Sequence, residues 1–347
     1  MSTDLDADVL VVGGGPVGLA AAIEARLAGL TVVIVEPRTG AIDKACGEGL
    51  MPGTLAALAR LGVDPPGHDL AGISYRDTRG HADHAFSAGP GRGVRRTTLH
   101  GALLDRSRQL GVERVTARVD HVVDGPEAVE AAGVSARWLL GCDGLHSTIR
   151  RLAGLGLPTR STGLFRPARR FGLRRHFHAD AWTDLVEVHW GPDAEAYVTP
   201  VSDDLVGVAL LGPPTLDFAA TLATFGELTD RLRGAEPAGA VRGAGPLRQR
   251  TARRTRGHIR LVGDASGYVD ALTGEGLRVG FAQAAVAVSH LEDPAAYERA
   301  WAAATRDYRI LTSGLVAWAT SPARAAIVPV ARHAPRAYGA IVDALSR

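Results

Sequence analysis

Residues able to do chemistry fall in four short stretches. Gly13-x-Gly15-x-x-Gly18 sits between an apolar run and an alanine-rich segment, and Glu36 follows eighteen residues after the last glycine. In such a turn the first glycine permits the tight bend, and the second lets the backbone approach a pyrophosphate. The third allows close packing of helix on strand, while the acid suits a ribose hydroxyl pair. That spacing predicts binding of a dinucleotide with a free 2′-hydroxyl, so NAD or FAD rather than NADP. The stretch "AIDKACGEGLMPG", 41–53, places one of two cysteines, Cys46, and the only lysine, Lys44, in a glycine-rich loop. Farther on, "GCDGLHSTIRR" (141–151) and "RLVGDASGYVDALTGEGLRVG" (260–280) each set an aspartate beside a glycine at the end of an apolar run.

The elements that must position these residues follow from periodicity. Residues 8–12 form a continuous apolar run of the kind a buried parallel strand needs. After the glycines comes "PVGLAAAIEARLAG", a helix closed by Gly29, and then "TVVIVE", a second strand, which completes a βαβ unit. Helices are predicted over 53–61, over 95–111, where Leu99, Ala102, Leu103 and Leu110 share helical spacing, over 277–291, and in pieces from 294 to the end. Between 171 and 211 the pattern becomes alternating: "RFGLRRHF", "LVEVHW", "AYVTPV" and "LVGVALL" predict an antiparallel sheet.

Composition narrows the possible functions. With 347 residues, 46% hydrophobic, and a formal net charge of +2 with no dense basic tract, the chain can build a sizeable core and lacks the charge clustering of a nucleic-acid binder. Cys46 and Cys142 match no zinc spacing or disulfide framework, and the acidic start followed by glycines reads as neither signal peptide nor membrane span, so a cytoplasmic setting is expected. The apolar 310–330 stretch is interrupted by Pro322, Arg324 and Pro329, which argues against a spanning helix and leaves peripheral membrane contact open. "HADH" (81–84) and "HFH" (176–178) lack further ligands, so no metal site is expected.

Taken with Arg96 ahead of a helix in "VRRTTLH", these motifs resemble, in order and over most of 7–292, the aromatic-hydroxylase class of FAD-dependent monooxygenases, whose fold the geranylgeranyl reductases share. The resemblance implies an α/β fold: a Rossmann-like FAD-binding domain of the glutathione-reductase-type two-dinucleotide superfamily, with an inserted, mainly antiparallel substrate sheet and C-terminal helices. The corresponding boundaries are 1–165 with 245–292 for the FAD unit, 166–244 for the sheet and 293–347 for the helical segment. It further implies that Gly13, Gly15, Pro16, Val17 and Gly18 hold the pyrophosphate, and that Glu36, with Pro37 and Arg38, meets the adenosine ribose. Arg96 would contact the FAD linker, Asp143 and Gly144 would serve as the DG motif, and Gly263 and Asp264 would bind the ribityl or pyrophosphate region. Both aspartates also suit helix capping.

Thr273, Gly274, Glu275 and Gly276, ahead of a helix, would direct N–H groups at the reduced flavin's pyrimidine edge. Glu275 is open to two readings, proton handling or complementing the helix dipole. "KACGEGLMP" is similar to the cysteine-glycine-glycine loop of the geranylgeranyl reductases, with Glu48 in place of a glycine; it would bring Cys46 and Gly47 to the flavin. Cys46 then reads as a proton donor, a redox-sensitive thiol or a small packing side chain, with Lys44 able to lower its pKa. Cys142 reads as buried packing. Glu48, His189, Trp190, Tyr197 and Thr199 are expected to line the substrate site.

Two activities remain open on this reading. One is an NADH- or NADPH-dependent monooxygenase that hydroxylates an aromatic, phenolic or lipid-like small molecule through a flavin hydroperoxide. The other is a reductase that saturates prenyl double bonds, and a flavin-binding protein without turnover is a third possibility. The sequence leaves the substrate and the oligomeric state undetermined.

Overall fold

The computed structural model describes residues 5–157 and 169–346. Its first sheet is parallel at the centre, where Ile259–Leu261, Val134–Gly141, Ala7–Val12, Val32–Val35 and Glu113–Val115 lie side by side in that order. The central strands Ala7–Val12 and Val32–Val35 are buried on both faces, which explains their unbroken apolar runs. Register sets which loops meet at the strand ends. Val12 lies opposite both Gly141 and Val35, and the ladder continues past the strand ends through Gly13 N to Val35 O, Cys142 N to Val12 O and Val262 N to Gly141 O. Gly13, Glu36, Asp143 and Gly263 are thereby brought to one carboxyl edge, the place where open α/β sheets bind ligands.

The second sheet runs Glu236–Ala244, Phe171–His178, Leu205–Gly212, Glu195–Ser202, Leu185–Trp190, Gly72–Asp77, Gly80–Ala85. All of its pairings are antiparallel except that of Leu185–Trp190 with Gly72–Asp77. The sheet therefore draws a hairpin from the stretch that the sequence pattern assigns to the FAD unit, so 166–244 does not contain it all. That hairpin is inconspicuous in the sequence because "GHADHA" is polar, with His81 and Asp83 turned to solvent. The boundary at 165/166 lies outside the described residues.

Helix Gly276–Ser289 packs across helix Pro16–Leu27, where Gly280 leaves no room for a side chain: a Cβ there would stand 2.4 Å from Val17. The long helix Pro294–Ala319 then buttresses the carboxyl edge. Its buried face carries Tyr297, Trp301, Tyr308 and Thr312, at helical spacing. In the same order the Tyr297 hydroxyl donates to Leu261 O (2.6 Å), Trp301 Nε1 to Ser266 Oγ (2.8 Å) and the Tyr308 hydroxyl to Asp270 O (3.1 Å), while Thr312 Oγ1 meets Thr273 Oγ1 at 3.0 Å. One helix face thus fixes the whole segment from the last strand to the "TGEG" turn. Helices Ile327–His333 and Pro335–Ser346 complete the chain against the second sheet. No helix among the described residues is long and apolar enough to cross a membrane.

Candidate functional site

The three glycines of the first turn answer to different constraints. Gly13 has φ +106° and a Cβ there would lie 2.6 Å from Cys142 O; at Gly18 a Cβ would lie 1.8 Å from Gly13 O. Both are required by the fold itself. Gly15, the N-cap of helix Pro16–Leu27, has an ordinary φ of −71°, and among the described residues nothing lies within 4 Å of an added Cβ. The space it faces, at a helix amino terminus, is the kind a pyrophosphate fills.

Glu36 sits behind this cradle with its carboxylate buried. Oε2 accepts from Gly14 N (2.8 Å) and Oε1 from Arg38 Nε (2.7 Å). Burial opposes ionisation there, but the hydrogen bonds from Arg38 and Gly14 outweigh it and hold the carboxyl below its usual range. On the far side of the turn, His100 Nε2 donates to Gly14 O at 2.9 Å, and burial pushes the imidazole down toward its neutral form. His100 gives no signal in the sequence because a histidine inside a helix carries no motif.

Asp143 accepts from Ser147 Oγ and from Ile149 N (3.0 Å) at the start of helix Thr148–Leu152, and burial pushes its carboxyl upward. The N-cap of that helix is Ser147, whose Oγ accepts from Arg150 N at 2.9 Å. Gly144 follows with φ +80° and open space beside it. Asp264 lies in the short turn Gly263–Ser266 and pairs with Lys44 at 3.5 Å. Lys44 therefore faces Asp264. Arg96 Nη1 stands 3.9 Å from the Cys46 Sγ. Cys46 Sγ also accepts from Glu48 N at 3.4 Å.

Glu275 is not the exposed first-turn carboxylate that would merely complement the helix dipole. Its side chain is 1% exposed, Oε2 accepts from Arg278 Nε, and Oε1 is buried with no hydrogen-bond partner among the described residues. Burial pushes it up to about 7, against the attraction of Arg278. Next to it, Gly274 has φ +71°, a conformation glycine adopts freely.

The two loops meet at the head of a cavity of about 140 Å³. Cys46, Gly47, Glu48 and Thr273 to Glu275 form the polar end; Tyr75, Val188, Leu315, Trp318 and Val342 wall the rest. Tyr197 lines it with its hydroxyl tied to Leu272 O at 2.8 Å. Of the other expected wall residues, His189 points to the opposite face of its strand, where Nε2 meets Glu187 Oε2 at 2.9 Å, because successive side chains alternate across a sheet. Trp190, which packs edge-on against Tyr75, and Thr199, whose buried hydroxyl has no partner among the described residues, are not among the cavity's lining residues. The aliphatic wall has no sequence signature because its residues come from separated strands and helices, each resembling ordinary core.

Comparison with known proteins agrees with this geometry. The model for an FAD binding domain matches residues 6–79. Digeranylgeranylglycerophospholipid reductase 1 of Methanothermobacter thermautotrophicus is 27% identical over 298 residues, covering 78% of this chain and 73% of that protein. The 12-dehydrotetracycline 5-monooxygenase/anhydrotetracycline 6-monooxygenase of Streptomyces rimosus is also 27% identical, over 332 residues, covering 80% of this chain and 61% of that one. Among solved structures, a triple mutant of a flavin-dependent brominase superposes with a TM-score of 0.81 at 18% identity, covering 98% of this chain and 94% of that one, a likeness of fold.

Proposed function

We propose that this chain, which is similar to FAD-dependent monooxygenases and geranylgeranyl-type reductases, is an NAD(P)H-dependent monooxygenase of a neutral, largely apolar aromatic or phenolic molecule. The observation that carries this reading is the cavity running from the Cys46 and Glu275 loops to an apolar wall.

Gly15 and the amino terminus of helix Pro16–Leu27 would hold the FAD pyrophosphate, Glu36 the ribose, and Asp264 with Lys44 the segment leading to the ring. When bound, FAD supplies hydride acceptance and the activation of dioxygen. The chain's own groups then divide the remaining tasks. N–H groups at the start of helix Gly276–Ser289 stabilise negative charge beside them, and Glu275, near 7, can hold or give up a proton at Oε1 under neutral conditions. The apolar wall excludes water and orients a ring.

A second reading is favoured by Cys46 at the head of the cavity: double-bond reduction, with the thiol delivering the proton. The test incubates FAD-loaded protein with NADH or NADPH, labelled dioxygen and a panel of long-chain phenols and prenyl compounds, followed by product mass. Gain of one labelled oxygen atom supports the monooxygenase. Gain of two hydrogens without oxygen overturns it in favour of the reductase.

A further inference from the structure

Glu48 has φ +62°, in the left-handed region that favours glycine, yet it is a glutamate. Such a conformation is strained for a residue with a side chain and persists where surrounding contacts determine it. Here the contacts come from two separate segments, the start of helix Arg96–Gln109 and the strand Phe171–His178. Oε1 accepts from Arg96 N at 2.8 Å and lies 3.7 Å from Arg174 Nη2; Oε2 meets His176 Nε2 at 2.5 Å. Arg174 Nη1 lies 3.1 Å from His176 Nδ1, and because a guanidinium only donates, Nδ1 is the acceptor and Nε2 carries the proton given to Glu48. Arg174 also donates to Asp43 and to Lys44 O (3.2 Å), so the same strand grips the loop at both ends. Gly207 on the neighbouring strand leaves the space, since a Cβ there would stand 3.1 Å from Glu48 Oε2.

These bonds hold the loop on either side of Cys46, whose Sγ accepts from the backbone N of Glu48 itself. We propose that Glu48, strapped by His176 and Arg174, is a positioning residue that fixes the Cys46 thiol at the head of the cavity. The inference rests on the proposed function only in taking this loop as a wall of the reaction space.

The test is alkylation of the FAD-loaded protein with iodoacetamide, with each cysteine followed separately by peptide mass. Cys142, buried in the core, is the internal standard. Glu48→Gly suits the backbone conformation but removes the straps. If the straps position the thiol, Cys46 reacts at least about tenfold faster in Glu48→Gly and His176→Asn, because hydrogen bonds to charged groups are lost, and Cys142 is unchanged. Glu48→Gln, which keeps one acceptor oxygen, gives a smaller acceleration and serves if a harsher variant does not fold. Cys46 rates within about twofold of the parent overturn the proposal, as does acceleration of both cysteines together, which reports general loosening. Neither outcome depends on whether the enzyme oxygenates or reduces.

Discussion

The carboxyl edge of the first sheet and the apolar cavity are built in opposite ways. At the edge, backbone does most of the work: a Cβ at Gly13 would meet Cys142 O and one at Gly18 would meet Gly13 O, while Gly263 has φ +66° with the Val17 side chain beside it. In the cavity, side chains do the work, gathered from Gly72–Asp77, Leu185–Trp190, Glu195–Ser202 and the last three long helices. The difference implies that changes at the edge act all or none on folding or flavin, whereas changes in the cavity act by degrees on the substrate.

The sharpest contrast lies within the first turn. Gly18→Val places atoms inside Gly13 and should destabilise by more than about 5 kcal/mol, seen as loss of folded protein. Gly15→Val should fold, with Tm within about 3 °C of the parent, and bind no flavin, measured by absorbance of the purified protein. Flavin retained in Gly15→Val would break the assignment of the cradle.

In the cavity, Val188→Trp should raise KM for an apolar phenol by about tenfold or more while leaving flavin content intact. Glu275 offers a stability test. Its folded pKa is raised from 4.5 to about 7, so the folded state keeps a proton that the unfolded state releases, and stability is lost as pH rises through that window. Relative to the parent, Glu275→Gln should gain stability between about pH 5 and about pH 8, by no more than about 3 kcal/mol, measured by urea unfolding at both values. A difference independent of pH would contradict the buried carboxyl.

Smaller still, Tyr308→Phe should cost about 1 kcal/mol through its bond to Asp270 O and hasten flavin release. His189→Ala should change kcat/KM by less than about twofold, since its side chain faces away from the cavity. A larger effect would mean that the outer face of the sheet also contributes to the site.

Sequence legibility follows the same division. The turn at Gly13 to Gly18, Glu36 and the Asp143 and Asp264 motifs can be read because each is a local spacing tied to backbone geometry. The parallel strands are equally legible from their continuous apolar runs. Tyr75, Val188 and Trp318 are not, because a cavity wall and a packed core use the same residues, and only tertiary placement separates them. His189 illustrates the converse: its chemistry suits a substrate wall, but the register of a single strand turns it to the other face. The ladder of bonds from Tyr297 to Thr312 is hidden because its partners, such as Leu261 O and Asp270 O, are backbone carbonyls.

The central claim is that the flavin's reacting edge and the apolar cavity are one continuous space. Titration of the FAD-loaded protein with a long-chain phenol, followed by the visible spectrum of the flavin, tests it most directly when the parent is compared with Val188→Trp. A saturable shift in the parent that vanishes in the variant, at equal flavin content, is the expected result. A shift of equal size and midpoint in both proteins would place the ligand elsewhere and contradict the account.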